Sequence, residues 1–138
     1  MPDRVRKVSY CYPTLPNRAG RAAQVLGALR EAGVNLLALH GFPARAGKAQ
    51  LDFFAEDLGA VRRVARRHGW KLSPVKRAFL VQGTDQVGAV HRHLDKLARS
   101  GVNVTAATGL SAGGGRYAMV LWVRRKDYAK AARALGAR

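Results

Sequence analysis

The stretch Gly33-Val34-Asn35 occurs a second time as Gly101-Val102-Asn103, at an offset of 68 residues. Further matches at this offset are glycines of predicted turns and apolar residues of predicted helices and strands: Gly20 with Gly88, Leu26 with Leu94, Leu29 with Leu97, Ala38 with Ala106, Gly41 with Gly109, and Gly47 with Gly115. Because the matches cluster at such positions instead of scattering, the sequence predicts an internal repeat.

The composition is that of an ordinary folded chain with one or two small domains. Of the 138 residues, 48% are hydrophobic and 7% aromatic, which argues against disorder. The longest uninterrupted apolar run, residues 118–123, is far shorter than the roughly 20 residues of a membrane-spanning helix, and the N-terminus carries no secretory signal. Cys11 is the single cysteine, so we expect neither an intrachain disulfide nor a cysteine-zinc cluster. These features predict a cytoplasmic protein without a membrane segment.

The charge of the chain is its unusual property. Twenty-five Lys and Arg residues against eight Asp and Glu residues give a net charge of +17. Such a balance is typical of proteins that bind nucleic acid or another polyanion. A chain rich in Arg and Ala can also reflect genome composition, so the charge indicates a class of partner without selecting one.

Each copy of the repeat predicts the same run of strands and helices, because apolar residues recur at helical spacing between segments rich in Val, Leu and Phe. The first copy predicts strands at residues 4–12, 35–42, 48–56 and 72–75, a helix at 18–32, and a second helix that follows an Asp57 cap. The second copy predicts strands at residues 78–82, 103–110 and 116–124 and helices at 86–100 and 127–135. Gly33 and Gly101 are expected to end the first helix of each copy, and residues 113–115 to form a hairpin turn.

The predicted order is β-α-β-β-α-β followed by β-α-β-β-α, which is the ferredoxin-like split βαβ arrangement of the α+β class. We therefore expect tandem units at residues 1–76 and 77–138. Each would be an antiparallel sheet with its helices on one face. The second unit would lack its own last strand, because the chain stops after the last predicted helix.

These motifs resemble the ACT domain, a small regulatory module that binds amino acids. The family signature is an Asp-x-Pro-Gly-like loop before the first helix, followed by Gly-Val-Asn at the start of the second strand. The loops read Asn17-Arg18-Ala19-Gly20 in the first copy and Asp85-Gln86-Val87-Gly88 in the second. The loop proline is absent from both copies, and the first has Asn17 where an acid is common. The resemblance covers nearly the whole chain, as a tandem ACT-like pair.

In the family, effectors bind where two modules pair through their second strands. The resemblance therefore implies ligand-binding residues in the two loops and in the two Gly-Val-Asn turns: Asn17, Gly20, Asn35, Asp85, Gly88 and Asn103. The chemistry is compatible with this implication. The carboxylate of an amino acid binds backbone N–H groups at a helix N-terminus, and glycine leaves that approach open. Asp85 would accept from the ammonium group, and each asparagine offers a donor and an acceptor.

Simpler roles would also explain these residues. Asn17 and Asp85 stand where helix caps are expected, and Asn35 and Asn103 would stabilise the turn into a strand. His91 and His93 point away from one another on a helix, so they do not form a metal site. The sequence shows no set of catalytic residues, and we expect no metal and no cofactor.

A cluster of arginines lies on the predicted helix after Asp57: Arg62, Arg63, Arg66 and Arg67. A solvated helix face is the simpler interpretation, and a polyanion-binding face is the alternative. The aromatic motif of RNA-binding sheets is absent from both predicted third strands, which begin at Lys48 and Arg116.

The third strands also predict a partner surface. If Phe53 and Leu121 face the helices, then Phe54, Val120 and Trp122 lie on the opposite face of the sheet. An apolar patch there would favour a homodimer, although partial exposure of Trp122 alone is the simpler interpretation.

Taken together, the sequence predicts a non-catalytic regulatory protein. It would bind a small molecule, an amino acid by resemblance, at the interface between its two ACT-like units and act through a partner protein. The alternative is a basic nucleic-acid-binding module on the same scaffold.

Overall fold

The structure, a computed structural model, describes residues 2–138. They form two compact units. The first unit is Ser9–Lys76, and the second unit combines the segment that ends at Val8 with Arg77–Arg138. Among the described residues, no helix is both long enough and apolar enough to cross a membrane.

The first unit is built around strand β4. Its elements are the end of β1 (Arg4–Cys11), β2 (Thr14–Pro16), α1 (Arg21–Glu31), β3 (Leu36–Pro43), β4 (Lys48–Ala55) and α2 (Leu58–His68). β4 pairs antiparallel with β3 on one side and with β2 and the end of β1 on the other. Leu72 forms an isolated antiparallel bridge with Pro13.

The second unit repeats much of this arrangement around strand β7. Its elements are β5 (Lys76–Thr84), α3 (Ala89–Arg99), β6 (Val104–Gly113), β7 (Arg116–Val123), a 3-10 turn (Arg125–Asp127) and α4 (Tyr128–Leu135). β7 lies between β5 and β6 and is antiparallel to both.

The strand that the second unit was expected to lack is supplied by the beginning of the chain. β1 lies beside β5, which is why residues up to Val8 group with the second unit and not with the first. The C-terminal residue extends this arrangement. Lys7 donates its N–H to the Arg138 carbonyl at 3.0 Å, and Arg138 donates to the Val5 carbonyl at 3.1 Å.

One hydrophobic core lies in each unit, on the face of the sheet that the helices cover. In the first unit Phe53 packs with Val25 and Leu29 of α1 and with Val61 and Val64 of α2. The corresponding core of the second unit contains apolar residues of β5, β7, α3 and α4, among them Phe79, Leu97, Leu121, Ala131 and Leu135. Phe53 and Leu121 face the helices, as expected, since both pack with helix residues in these cores. Burial of each such large side chain contributes about 1.5–3 kcal/mol to folding.

Most predicted elements are present in the structure, with strand ends shifted by up to three residues. The short strand β2 (Thr14–Pro16) was not predicted, and three other elements differ. α1 and α3 begin three residues later than expected, because residues 17–20 and 85–88 form turns. The predicted strand at residues 72–75 is reduced to the bridge at Leu72, and Pro74 has no N–H to donate to a strand ladder.

Candidate functional site

The two predicted ligand loops are held by the same hydrogen bond in each unit. Asn17 donates its backbone N–H to the carbonyl of Gly47 at 2.8 Å, and Asp85 donates to the carbonyl of Gly115 at 2.8 Å. Gly47 lies in the turn between β3 and β4, and Gly115 lies in the turn between β6 and β7. Each loop is therefore fixed to a neighbouring turn through its backbone, which leaves its exposed side chains available.

Glycine, and not Asn17 or Asp85, caps the helix that follows each loop. Gly20 caps α1 with φ +88° and Gly88 caps α3 with φ +80°, and neither helix has a side-chain cap. Left-handed backbone of this kind favours glycine. A Cβ atom at either position would meet nothing within 4 Å, so the space above both helix starts is open.

Helix α2 provides the contrast. Its cap, Asp57, accepts a hydrogen bond from the N–H of Ala60 at 3.1 Å, which confirms the predicted role of Asp57. None of the three helices has an acidic residue in its first turn, so the difference is the Asp57 side chain, which α1 and α3 lack at their caps. Because the first N–H groups of a helix carry partial positive charge, the starts of α1 and α3 suit an external carboxylate better than the start of α2 does.

The two asparagines of the Gly-Val-Asn turns lie at the other end of these helices. Gly33 and Gly101 follow the last turns with φ +73° and +72°, as expected for glycines that end a helix. Asn35 and Asn103 come just before β3 and β6, and both are exposed. Eleven helical residues separate the two ends, which is about 16 Å. Within one unit, a ligand the size of an amino acid therefore cannot contact both the loop and the asparagine.

The arginine cluster of α2 lies on the solvent side of the helix. Arg62, Arg63, Arg66 and Arg67 are all exposed, and three of them, Arg63, Arg66 and Arg67, line a shallow groove. Arg63 also lies 3.6 Å from the Asp57 carboxylate. The groove concentrates guanidinium groups at the surface, and such groups bind carboxylates and phosphates.

The expectation that Phe54 and Trp122 form an exposed apolar patch is wrong. Phe54 is 1% exposed and Trp122 is 8% exposed, and Val120 is partly buried. The ring of Tyr10, the register partner of Phe54 on β1, stacks on Phe54 with the centroids 4.7 Å apart. These residues belong to neither of the two cores, but the burial of Phe54 and Trp122 leaves little surface for a partner.

A buried polar cluster in the second unit was missed by the sequence analysis. One carboxylate oxygen of Asp3 lies 2.7 Å from His93 Nε2 and 2.7 Å from a guanidinium nitrogen of Arg92, and it also accepts from the Tyr117 hydroxyl. The pKa of Asp3 is lowered, because these three hydrogen bonds outweigh burial, which acts to raise it. Burial and the hydrogen bond to Asp3 raise the pKa of Tyr117 to about 12.

The sequence carried one signal for this cluster. Ala89, His93 and Leu97 are spaced four residues apart on α3, and all three are buried. A histidine on an apolar helix stripe needs a polar partner in the core. That partner, Asp3, is 90 residues away in the chain, so the pattern of α3 alone could not identify it.

A second buried carboxylate lies in the sheet of the first unit. Asp52 is 3% exposed. It accepts from the Gln50 amide at 2.9 Å and lies 3.5 Å from His40 Nδ1. Burial raises the pKa of Asp52, although Gln50, His40 and Lys76 act in the opposite direction.

Comparison with known proteins places the fold. No protein-family model and no curated protein sequence matches the chain. Protein BT0572 from Bacteroides thetaiotaomicron is a solved structure that matches with a TM-score of 0.79 at 19% identity, over 97% of this chain and 88% of that one.

Two further matches are regulatory subunits of aspartate kinase. The ligand-free subunit from Thermus thermophilus has a TM-score of 0.61 at 16% identity, over 97% of this chain and 94% of that one. The subunit from Thermus flavus has a TM-score of 0.58 at 17% identity, over 98% and 94%. The chain therefore has an α+β, ACT-like fold.

Proposed function

We propose that this chain is a non-catalytic regulatory protein, a tandem pair of ACT-like units that binds an amino acid at the loops of residues 17–20 and 85–88. The observation that carries the proposal is the start of α1 and α3. Both helices begin at an exposed glycine in the left-handed conformation, with no side-chain cap and no acid in the first turn.

The structural neighbours support a regulatory role. Two of them are named as regulatory subunits of aspartate kinase, and one of these is named as a ligand-free form. The likeness itself extends to the fold. The assignment of an amino-acid ligand to this chain rests on the two loops and on the chemistry of their backbone.

Each loop would recognise the two charged groups of an amino acid separately. The carboxylate would accept hydrogen bonds from the uncapped N–H groups at the start of the helix. The ammonium would bind backbone carbonyls of the loop and, in the second unit, the Asp85 carboxylate. Since Asn17 carries no charge at the equivalent position, we expect the loop of the second unit to bind more tightly.

Asn35 and Asn103 remain predicted ligand contacts through the resemblance to the ACT family. The distance along α1 and α3 means that neither asparagine would share a ligand with the loop of its own unit. Asn35→Ala and Asn103→Ala therefore test a separate part of the proposal. If each loop binds its own amino acid, calorimetry should give two ligands per chain. One ligand per chain would mean that the two loops do not bind independently.

The direct test is thermal unfolding of the full chain with each of the twenty amino acids at millimolar concentration. A ligand that binds the folded state raises Tm in a saturable manner. Failure of every amino acid to raise Tm would contradict the proposal. Gly88→Ala should then weaken binding by about tenfold or more, because the added methyl group fills the open space above the helix start and keeps the carboxylate from the N–H groups. A hydrogen bond to a charged group contributes about 1.5–3 kcal/mol. Gly69→Ala is the matched control, because Gly69 also has positive φ (71°) but follows α2.

A second candidate function, polyanion binding, is favoured by the groove of Arg63, Arg66 and Arg67. Phosphate contacts make nucleic-acid affinity fall steeply with salt. Replacing the four α2 arginines by Gln should reduce that salt slope by about 0.9 for each arginine that contacts a phosphate of duplex DNA. Gln at four other exposed arginines, Arg4, Arg18, Arg30 and Arg45, removes the same charge. Equal reductions of the salt slope in the two variants would indicate a general effect of charge and would exclude a binding site on α2.

We propose that the chain self-associates through the edge of β6 and not through the buried Phe54 and Trp122. β6 runs for ten residues, Val104–Gly113, contains no charged residue, and is exposed along nearly its whole length. Its one strand neighbour among the described residues is β7, and long uncharged edges of this kind invite strand pairing. Thr108→Lys should shift sedimentation toward the monomer, whereas Thr84→Lys at the exposed end of β5 should not.

A further inference from the structure

Three donors from two elements of the second unit converge on a single carboxylate oxygen. Arg92 and His93 lie on α3, and Tyr117 lies on β7. Each has a polar atom within hydrogen-bond distance of Asp3 Oδ2. Hydrogen bonds to an ionised carboxylate are stronger than those between neutral groups, so three of them on one oxygen hold the carboxylate firmly.

The site is shaped for a carboxylate as well as charged for one. At Gly83 on β5, a Cβ atom would collide with the Asp3 carboxylate, so the absence of a side chain there makes the space that the carboxylate fills. His93 is 3% exposed and Tyr117 is 4% exposed. The Arg92 side chain is 45% exposed, which leaves an approach from solvent on that side.

The protonation of the cluster follows from its geometry. The Asp3 carboxylate only accepts hydrogen bonds, so His93 Nε2 must carry the hydrogen between them. His93 Nδ1 is buried and has no hydrogen-bond partner within residues 2–138. Removal of the carboxylate would leave the His93 N–H with only the Tyr117 hydroxyl, at 3.1 Å, and the Tyr117 hydroxyl with only the Ala89 carbonyl, at 3.5 Å. The loss of a charged acceptor from these buried donors is costly. The cluster therefore favours an anion whether or not that anion belongs to the chain.

The group that fills the site belongs to the segment directly before β1. Asp3 precedes β1 and lies outside the strand. A tethered group of this kind acts at an effective concentration in the millimolar range or above. A free carboxylate therefore competes poorly while Asp3 is present and binds readily once the Asp3 side chain is removed.

We propose that Arg92, His93, Tyr117 and the space at Gly83 form a binding site for a small monocarboxylate, which the chain fills with its own Asp3. This site is distinct from the loop of residues 85–88 and does not depend on the proposed amino-acid function.

The test is chemical rescue of the full-length Asp3→Ala variant, which leaves a space for formate. Tm is measured in sodium formate and in sodium chloride at equal ionic strength. We expect a saturable rise in Tm with formate that chloride does not reproduce, and a narrower ¹³C-formate NMR line when Arg92→Ala is added to Asp3→Ala. If Asp3→Ala is unfolded, recovery of its far-UV circular dichroism with formate replaces the Tm reading.

Two controls make the result specific. The wild-type chain, in which Asp3 fills the site, should show little response to formate over the same range. Asp95→Ala removes another acid of the second unit, one that pairs with Arg99 on α3, and should show no formate-specific rise. Equal effects of chloride and formate on Asp3→Ala, or an equal formate effect on Asp95→Ala, would overturn the proposal. So would the absence of any formate binding to Asp3→Ala by NMR.

Discussion

The backbone N–H of Asn17 donates to the carbonyl of Gly47 at 2.8 Å, and the residues 68 positions later, Asp85 and Gly115, make the same hydrogen bond at the same distance. The repeat seen in the sequence is thus also a repeat of backbone hydrogen bonds. It continues at the ends of the helices, where Val34 donates to Leu29 at 3.0 Å and Val102 to Leu97 at 2.9 Å. The side chains differ between the copies, but equivalent hydrogen bonds hold the backbone of each copy.

The first prediction concerns the glycines at the starts of α1 and α3. Gly20→Ala and Gly88→Ala should each lower the free energy of unfolding by about 1–2 kcal/mol, because left-handed backbone is costly for a residue with a Cβ. Gly27→Ala is the matched control, since Gly27 lies inside α1, has open space around it and no positive φ. It should raise the free energy by about 0.5–1 kcal/mol. Urea denaturation measures all three, and destabilisation by Gly27→Ala would contradict this account.

The second prediction concerns acid stability. Because the pKa of Asp3 is lowered in the folded state, its contribution is present above its ordinary pKa of about 3.9 and is lost as pH falls through the lowered value. Asp3→Asn should therefore reduce the fall in the free energy of unfolding that accompanies acidification below about pH 4. Asp52→Asn should act in the opposite direction, because burial raises the pKa of Asp52, and its contribution is lost as pH rises through that value. Chemical denaturation between pH 2 and pH 7 measures how each substitution changes the pH dependence of the free energy of unfolding. If the two substitutions change it in the same direction, the assignment is contradicted.

The third prediction concerns alkaline pH. The pKa of Tyr117 is raised to about 12, so its contribution to stability is present below its ordinary pKa of about 10 and is lost as pH rises toward 12. Tyrosine ionisation is followed by absorbance near 295 nm. Tyr117→Phe should remove the part of the titration near pH 12, whereas Tyr12→Phe should leave it in place. Loss of an ordinary titration step near pH 10 in Tyr117→Phe would show that the hydroxyl does not lie in the Asp3 cluster.

The sequence predicted most of the fold because its signals are local. Helix periodicity, the Asp57 cap and the turn glycines each act within a few residues, and all of them are present in the structure. The contacts that it missed join distant parts of the chain. The place of β1 beside β5 and the Asp3–His93 pair depend on how the beginning of the chain folds back onto its second half.

The candidate site shows the same limit. Both loops were located correctly as turns before a helix, but the capping residue was placed three positions too early, because asparagine and aspartate are better cap formers than glycine. In the structure, Gly20 and Gly88 are the capping residues, and both have the left-handed conformation that favours glycine. The burial of Phe54 and Trp122 could not be predicted from strand alternation, since alternation assigns a face of the sheet but not what covers that face.

The last prediction concerns Cys11, whose side chain is fully buried in the core of the first unit. Burial, the larger effect, and nearby Asp52 raise the pKa of its thiol, while Arg62 acts to lower it. Since the thiolate is the reactive form, alkylation of the native chain should be slow at pH 8 and should accelerate with urea in proportion to the unfolded fraction. A Cys11→Ala chain that carries Ser111→Cys places a single thiol on the exposed strand β6 and should react rapidly without urea. Rapid labelling of Cys11 in the native chain would mean that the first unit opens readily, because the thiol has no route to the reagent in the folded core.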